Sequence, residues 1–144
     1  MIYTEMTVKA LKLAYRAHLG QMDYNDVPYI FHPFHLAEQM DDEISCTVAL
    51  LHDVVEDTAI TFEDLSQEFP AQVVELVRLL THGENEDYFD YINRIKTNPI
   101  ATRVKLADLA HNSDESRNVG TKLTAEKLLY WKEKYAKARD LLLR

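Results

Sequence analysis

Residues Glu43 to Thr58 read EISCTVALLHDVVEDT, and this stretch decides the fold class. Its first part, to about Val55, is almost wholly apolar, which predicts a helix buried at the centre of the domain. Polar groups then crowd the end of that helix: His52 lies four residues before Glu56, and Asp53 lies three before it. Such groups repel one another and lose hydration unless a cation sits among them. The alternative is a helix cap beside a solvated acidic corner.

Helical patterns continue on both sides of this segment, and no stretch alternates at period two for long. With 3 Gly and 4 Pro in 144 residues, turn-forming residues are too scarce for an all-β chain. We predict an all-α, single domain over residues 1–144, with about eight helices. The predicted helices run from about Thr4 to His18, His32 to Met40, Glu43 to Val55, a short one after Thr58 or Thr61, Pro70 to Gly83, Asp87 to Thr97, Asn98 to Asn112 and Thr121 to Leu142.

The charge balance narrows the classes of partner. The chain has 24 acidic and 16 basic residues, a net charge of −8, which opposes binding to nucleic acid. It also opposes a small phosphorylated substrate unless a metal supplies positive charge. No apolar run approaches the roughly 18 residues of a membrane span, and the N-terminus has no signal-peptide pattern. We therefore expect a cytoplasmic protein without membrane or nucleic-acid partners, and a homo-oligomer remains open.

Two further segments strengthen the metal hypothesis. His32 stands in Pro28-Tyr29-Ile30-Phe31-His32-Pro33, just before a predicted helix. Asp108 stands late in an apolar helix and is expected to face inward, where a lone carboxylate needs a partner. Histidine and carboxylate side chains are common metal ligands. The sequence thus offers metal-binding residue types in three separate places.

Taken together, these motifs resemble the HD superfamily of metal-dependent phosphohydrolases. The flanking residues resemble the hydrolase domain of the RelA/SpoT alarmone enzymes and their small single-domain relatives, in the same order and over about residues 8–118. The chain is too short for the synthetase domain of the long enzymes, so no pyrophosphokinase activity is implied. The matching segments are Ala17–Gln21, Pro28–Pro33, Leu50–Thr58 and Val104–Asn112.

The resemblance implies a specific site and reaction. The residues that match the family's ligands to one Mn²⁺ are His32, His52, Asp53 and Asp108. The resemblance implies that Glu56 and Asp57 act on the nucleophilic water and in general acid–base catalysis. It implies that Asn112 helps to bind the nucleotide. The implied reaction removes the 3′-pyrophosphate of guanosine tetraphosphate or pentaphosphate, giving GDP or GTP. Nitrogen and carboxylate ligands suit a catalytic metal, Mn²⁺ or another divalent cation, and a nearby Glu can take a proton from water.

The nucleotide-binding side departs from that pattern. The related enzymes carry a basic pair in the loop after the His-x-Gly-Gln stretch, and this chain has Asp23 and Tyr24 there. Tyr24 can stack on a base, whereas Asp23 is expected to repel a phosphate. Ser113 and Asp114 stand where the relatives usually have a hydrophobic and a basic residue. Both changes remove positive charge from the predicted nucleotide site.

The remaining basic and histidine residues have weaker assignments. Lys105, three residues before Asp108, is the basic group placed nearest the site, and the alternative is a solvated helix face. Arg117 could pair with Asp114 at i+3. His18 is expected to have a structural role. The open cases are His35, three residues after His32, and His111, three residues after Asp108. Each is either a supporting group of the site or a packing or surface residue.

The first hypothesis is therefore a Mn²⁺-dependent hydrolase of a small phosphorylated nucleotide. Its favoured substrate is guanosine 3′,5′-bis(diphosphate). The enzymatic alternative is an HD hydrolase of another nucleotide or metabolite, which Asp23 favours. The non-enzymatic alternative is a nucleotide-binding regulatory module. Loss of Glu56 or Asp57 would mark that alternative, and both residues are present.

Overall fold

The computed structural model describes Met1–Arg144 and confirms the all-α class. It contains nine α-helices and one 3₁₀ turn (Glu115–Asn118), and its only β-type pairing is an isolated antiparallel bridge between Met22 and Pro28. The helices are α1 (Glu5–Ala17), α2 (Phe31–Glu38), α3 (Glu43–Leu51), α4 (Val54–Asp57), α5 (Phe62–Glu68), α6 (Ala71–Leu79), α7 (Tyr88–Ile95), α8 (Pro99–Asn112) and α9 (Ala125–Leu143).

Local capping residues set several of these boundaries. Thr61 begins α5 with a capping box, in which its side chain and that of Asp64 each accept a backbone N–H. Asn98 accepts two N–H groups at the start of α8, and Pro99 follows at the first helical position. A cap of this kind stabilises a helix by about 1 kcal/mol. The caps thus place the start of α5 after Thr61, one of the two predicted positions, and the start of α8 after Asn98.

The predicted continuous helix from Glu43 to Val55 is wrong at its end. Helix α3 stops at Leu51, and α4 begins after Asp53, whose backbone (φ −106°, ψ 0°) leaves the helical region. In an unbroken helix, neighbouring side chains point about 100° apart. The break removes this constraint, so that His52 and Asp53 reach the same point, with His52 Nε2 2.9 Å from Asp53 Oδ2.

Helix α3 lies at the centre of a core of 26 buried apolar residues. It packs against α1, α2, α6 and α8, and every residue from Ser45 to Leu51 is buried. Burial of a leucine such as Leu50 or Leu51 contributes about 1.5–3 kcal/mol. The site residues at the end of α3 therefore extend from the most firmly packed element of the fold.

The last helix completes the fold by covering α7 and α8. Its residues Ala138 and Leu142 are buried against the core. It begins at Ala125, later than the predicted Thr121, because Thr124 caps it. None of the helices is both long and apolar enough to cross a membrane.

Candidate metal and nucleotide site

Four side chains from three parts of the chain converge beside α3. His32 comes from the start of α2, His52 and Asp53 from the break after α3, and Asp108 from the last turns of α8. One nitrogen or oxygen atom from each lies within 4.8 Å of the others. His32, His52 and Asp108 are buried, and Asp53 is partly exposed. The fold thus brings together all four residues that the resemblance assigned to a metal.

The two imidazole rings face the two carboxylates through the same nitrogen. His32 Nε2 lies 2.8 Å from Asp108 Oδ1 and 4.0 Å from Asp53 Oδ2. His52 Nε2 lies 2.9 Å from Asp53 Oδ2 and 3.7 Å from Asp108 Oδ1. Two nitrogens and two carboxylate groups therefore surround one point, which is a donor set that divalent transition metals accept.

The hydrogen bonding of His52 fits a metal ligand. Its Nδ1 lies 2.6 Å from the carbonyl oxygen of Ala49. A carbonyl only accepts, so Nδ1 carries a hydrogen, and Nε2 is the nitrogen that has a lone pair whenever the ring is neutral. That Nε2 is buried and makes no hydrogen bond of normal geometry, despite its closeness to Asp53. An unpartnered nitrogen aimed into the cluster is what a metal would bind.

His32 is oriented by a second histidine. Its Nδ1 lies 2.7 Å from Nδ1 of His111, which stacks in turn on His35 with 4.1 Å between ring centroids. Burial, and next the charge of Arg117, lowers the pKa of His111 to about 3, so His111 is neutral, and its Nδ1 would accept a hydrogen from Nδ1 of His32 if His32 bound a metal through Nε2. His111 therefore supports His32, and not its helical neighbour Asp108.

The electrostatics of the cluster favour a cation. Burial alone lowers the pKa of His52, but the carboxylates of Asp53 and Asp108 outweigh that effect and raise it. Burial alone raises the pKa of Asp53, and the adjacent His52 lowers it to about 2. The carboxylates thus stay ionised and attract positive charge. A divalent cation bound between neutral imidazoles would supply the positive charge that these carboxylates attract.

Three further side chains hold the carboxylates. The hydroxyl of Tyr29 donates to Asp53 Oδ2, and burial raises the pKa of Tyr29, which keeps it a donor. Lys105 Nζ lies 2.7 Å from Asp108 Oδ2, and Asn112 Nδ2 donates to Asp108 Oδ1 at 3.1 Å. The solvated alternative for Lys105 is wrong, because this side chain is buried. Sequence reasoning missed Tyr29, although it lies one turn before His32.

Glu56 and Asp57 stand beside the cluster on α4. Their carboxylate oxygens and that of Asp53 lie within 4.8 Å of one another. Burial, and then the charges of Asp53 and Glu56, raises the pKa of Asp57 to about 7. Burial also raises the pKa of Glu56, whose Oε1 accepts a 2.8 Å hydrogen bond from the backbone N–H of His82. Raised values make both carboxyls better proton acceptors near neutral pH.

An ion pair anchors the loop that contacts Glu56. Arg94 on α7 bonds both carboxylate oxygens of Glu86 at 2.8 and 3.0 Å, and it donates to the carbonyls of Leu79 and Thr81. The loop between α6 and α7 is thereby tied to α7. His82 lies in this loop, three residues after the end of α6 at Leu79, and its backbone supplies the contact to the site.

The cluster opens into a cavity of about 910 Å³ between the loop at residues 21–25, α8, the 3₁₀ turn and α9. Tyr24, Lys105 and Asn112, the three predicted nucleotide-binding residues, all line it. Tyr24 contacts Trp131 of α9, with ring centroids 4.7 Å apart. The contribution of α9 was missed by sequence reasoning, because a helical stripe does not reveal which surface it covers.

Asp23 is paired with a basic residue 94 positions later in the chain. Its carboxylate lies 3.3 Å from the guanidinium of Arg117, which also donates to the carbonyl of His111 at 2.8 Å. The predicted pair of Arg117 with Asp114 does not form, because Asp114 instead caps the 3₁₀ turn through Ser116. The loop therefore presents less negative charge to the cavity than its sequence indicates.

The chain is similar to known proteins in sequence. The family model described as HD domain matches residues 10–120. The chain is 34% identical over 127 residues to the bifunctional (p)ppGpp synthase/hydrolase SpoT of Escherichia coli K12. This match covers 75% of this chain and 18% of that protein. The chain is also 35% identical over 117 residues to a probable GTP pyrophosphokinase of Mycobacterium leprae. That match covers 72% of this chain and 15% of that protein.

A solved structure extends the similarity to the whole chain. It belongs to a metazoan ortholog of SpoT that hydrolyzes ppGpp, with a TM-score of 0.81, 27% identity, and coverage of 99% of this chain and 88% of that one. The chain spans less than a fifth of the length of the two curated relatives. The resemblance to the hydrolase domain of SpoT is confirmed at the level of sequence and fold. The chain belongs to the HD domain family.

Proposed function

We propose that this chain is a metal-dependent phosphohydrolase of a nucleotide and that its preferred substrate is guanosine 3′,5′-bis(diphosphate). The observation that carries this proposal is the convergence of two histidines and two aspartates beside Glu56 and Asp57, at one end of a large cavity. The similarity to a metazoan ortholog of SpoT that hydrolyzes ppGpp supports the choice of substrate. We further propose that residues 1–144 act as one domain in the cytoplasm, on a small molecule.

The proposed metal ligands are His32, His52, Asp53 and Asp108, and Mn²⁺ is the proposed ion. When bound, such an ion polarises a phosphoryl oxygen and makes water a stronger acid. The contacts of His52 Nδ1 with the carbonyl of Ala49 and of His32 Nδ1 with His111 would leave both Nε2 atoms available to bind a metal. The protein thus holds its ligands in position before the ion arrives.

The proposed reaction is hydrolysis at the 3′-diphosphate. The oxygen of water bonds to the phosphorus attached to the ribose 3′ oxygen, and a proton of that water passes to the carboxylate pair of Glu56 and Asp57. The bond from phosphorus to the ribose oxygen breaks, and that oxygen takes a proton, which leaves GDP and pyrophosphate. His82 fixes Glu56 through its backbone N–H, so the pair has a defined orientation.

The cavity offers contacts to the remaining parts of a nucleotide. The rings of Tyr24 and Trp131 present an aromatic surface on which a base can stack. Asn112 adds an amide near Asp108, and Lys105 adds a buried positive charge. We propose these residues as the substrate-binding set, with Lys105 acting also as the counter-charge of Asp108.

A nucleotide panel tests the proposal. Purified protein with Mn²⁺ is assayed against guanosine tetraphosphate and pentaphosphate, GTP, ATP and nucleoside 3′,5′-bisphosphates. We expect fastest turnover of the guanosine tetraphosphate and none by Asp53→Ala, which also loses bound metal by elemental analysis. Preference for another nucleotide would favour the alternative substrate class that Asp23 suggested. No turnover of any nucleotide would overturn the enzymatic assignment.

A further inference from the structure

The positive charges that line the cavity are not equally available. Four cationic side chains line it, and three of them are already paired with carboxylates. The paired ones, with their nitrogen–oxygen distances, are Lys105 with Asp108 (2.7 Å), Arg117 with Asp23 (3.3 Å) and Lys132 with Glu115 (3.1 Å). The fourth, Lys134, has no carboxylate oxygen within 4.0 Å. It is therefore the one unpaired cation of the cavity.

Lys134 lies beside a second group that lacks a partner. Its Nζ sits 4.1 Å from the centroid of the Tyr88 ring, across the contact between α9 and α7. The Tyr88 hydroxyl is buried and makes no hydrogen bond, although Tyr88 also lines the cavity. Burial, and next the charge of Lys105, lowers the pKa of Lys134. A half-buried ammonium and an unsatisfied hydroxyl are both stabilised by one bound anion.

We propose that Lys134 is a substrate-binding residue whose ammonium, together with the Tyr88 hydroxyl, binds a phosphate group of the nucleotide. This inference rests on the proposed function and deepens it. The loop at Asp23 and Tyr24 contains no basic residue, and Arg117, which contacts this loop, is engaged by Asp23. Lys134 supplies the missing charge from α9, on a different element of the fold.

Kinetics of a charge-removing variant test the proposal. Lys134→Met removes the ammonium and keeps much of the side-chain volume over Tyr88. With guanosine tetraphosphate and Mn²⁺, we expect KM to rise at least about tenfold with kcat changed less than about twofold, since a charged hydrogen bond is lost in ground and transition states alike. Lys134→Arg keeps the charge and should restore most of the affinity.

Lys137→Met is the matched control. Lys137 lies on the same helix, with its Nζ 4.2 Å from the Phe89 ring, and it does not line the cavity. It therefore makes the same kind of cation–aromatic contact without access to substrate. We expect wild-type KM for this variant. If Lys134→Met matched Lys137→Met in KM, or if Lys134→Arg failed to restore binding, the proposal would be overturned.

Product inhibition identifies the phosphate group that Lys134 contacts. A higher inhibition constant for pyrophosphate in Lys134→Met places Lys134 on the leaving diphosphate. A higher constant for GDP places it on the 5′-diphosphate. Either result supports the proposal, and unchanged constants for both products contradict it.

Direct binding separates this inference from the proposed function. GDP and pyrophosphate are titrated by calorimetry into wild type and Lys134→Met in magnesium buffer, with circular dichroism to verify folding. If wild type fails to hydrolyse guanosine tetraphosphate, the proposed function fails. Weaker binding of either probe to Lys134→Met would still support an anion site at Lys134. Equal binding to both proteins would overturn that site whether or not the wild type is an enzyme.

Discussion

The carboxylate of Asp23 lies 3.3 Å from the guanidinium of Arg117, although the two residues are separated by 94 positions in the chain. This pair joins the loop after α1 to the segment after α8, and Asn25 strengthens the same connection by donating to the carbonyl of Arg117 at 2.8 Å. The loop acidity that looked unfavourable for a phosphorylated ligand is thus compensated within the fold. The pair also keeps Arg117 from acting as a free cation in the cavity.

Asp23→Asn should release the positive charge of Arg117 to the cavity. We expect KM for guanosine tetraphosphate to fall about threefold, because a partly exposed ion pair is worth up to about 1 kcal/mol. Arg117→Met should have the opposite effect, since it leaves Asp23 unpaired near the substrate. Steady-state kinetics at low and high salt measure both variants. Equal shifts in the same direction for the two variants would contradict this electrostatic account.

Tyr29→Phe should weaken metal binding without unfolding the protein. The variant removes only the hydroxyl that donates to Asp53 Oδ2. Loss of a hydrogen bond that orients a metal ligand typically costs about 10- to 100-fold in affinity or activity. Competition with a chelating dye measures the Mn²⁺ affinity. Tyr15→Phe, at an exposed position on α1, is the control, and wild-type affinity in Tyr29→Phe would show that the hydroxyl does not position Asp53.

His111→Gln should misorient His32. A glutamine on α8 does not reproduce the ring nitrogen of His111 that lies 2.7 Å from His32 Nδ1. We expect Mn²⁺ affinity and kcat to fall by about tenfold or more. His35→Gln provides the comparison, since His35 stacks on His111 but is not bonded to the cluster. If both variants lost affinity equally, stacking and not the hydrogen bond would be the important contact.

Glu86→Gln should reduce stability in a pH-dependent way. Arg94 holds the pKa of Glu86 at about 2, below its value of about 4.3 in an unfolded chain. A lowered folded-state pKa stabilises the protein above the unfolded value, and the gain is lost as pH falls toward 2. At pH 7 we expect a loss of about 1 kcal/mol, or about 4 °C in Tm for this partly exposed pair.

The difference in Tm between wild type and Glu86→Gln should therefore be constant above about pH 5 and shrink below it. Glu75→Gln is the matched control, because Glu75 is more exposed and forms only a 3.5 Å pair with Arg78 on the same helix. Calorimetric melts from pH 3 to pH 7 provide the measurement. A difference that stayed constant down to pH 3 would mean that Arg94 does not stabilise the ionised form of Glu86.

Local signals in the sequence predicted much of the fold. Helix α8 begins at Pro99 and ends at Asn112, as predicted, because its cap and its first proline are adjacent in sequence. The break after Leu51 was not predicted. That break depends on His52 and Asp53 meeting side chains from α2 and α8, and helical periodicity carries no information about such contacts.

In the candidate site, too, local motifs were predictive and contacts between distant segments were not. The motifs named the residues that the fold brings together around Asp53 and Asp108, because each motif is short and its residue types carry the chemistry. Contacts between distant segments were missed, among them those of Tyr29 with Asp53 and of Lys134 with Tyr88. The i+3 spacing placed His111 near Asp108, but its ring points to His32, since ring direction depends on packing.

The most direct test of the central claim is ³¹P NMR of guanosine tetraphosphate turnover in water enriched in ¹⁸O, with Mn²⁺ and wild-type protein. Hydrolysis at the phosphorus next to the ribose 3′ oxygen predicts GDP and pyrophosphate in equal amounts, with ¹⁸O in the pyrophosphate and none in GDP. Release of orthophosphate, cleavage on the 5′ side, or an unchanged substrate with Mn²⁺ bound at the cluster would contradict it.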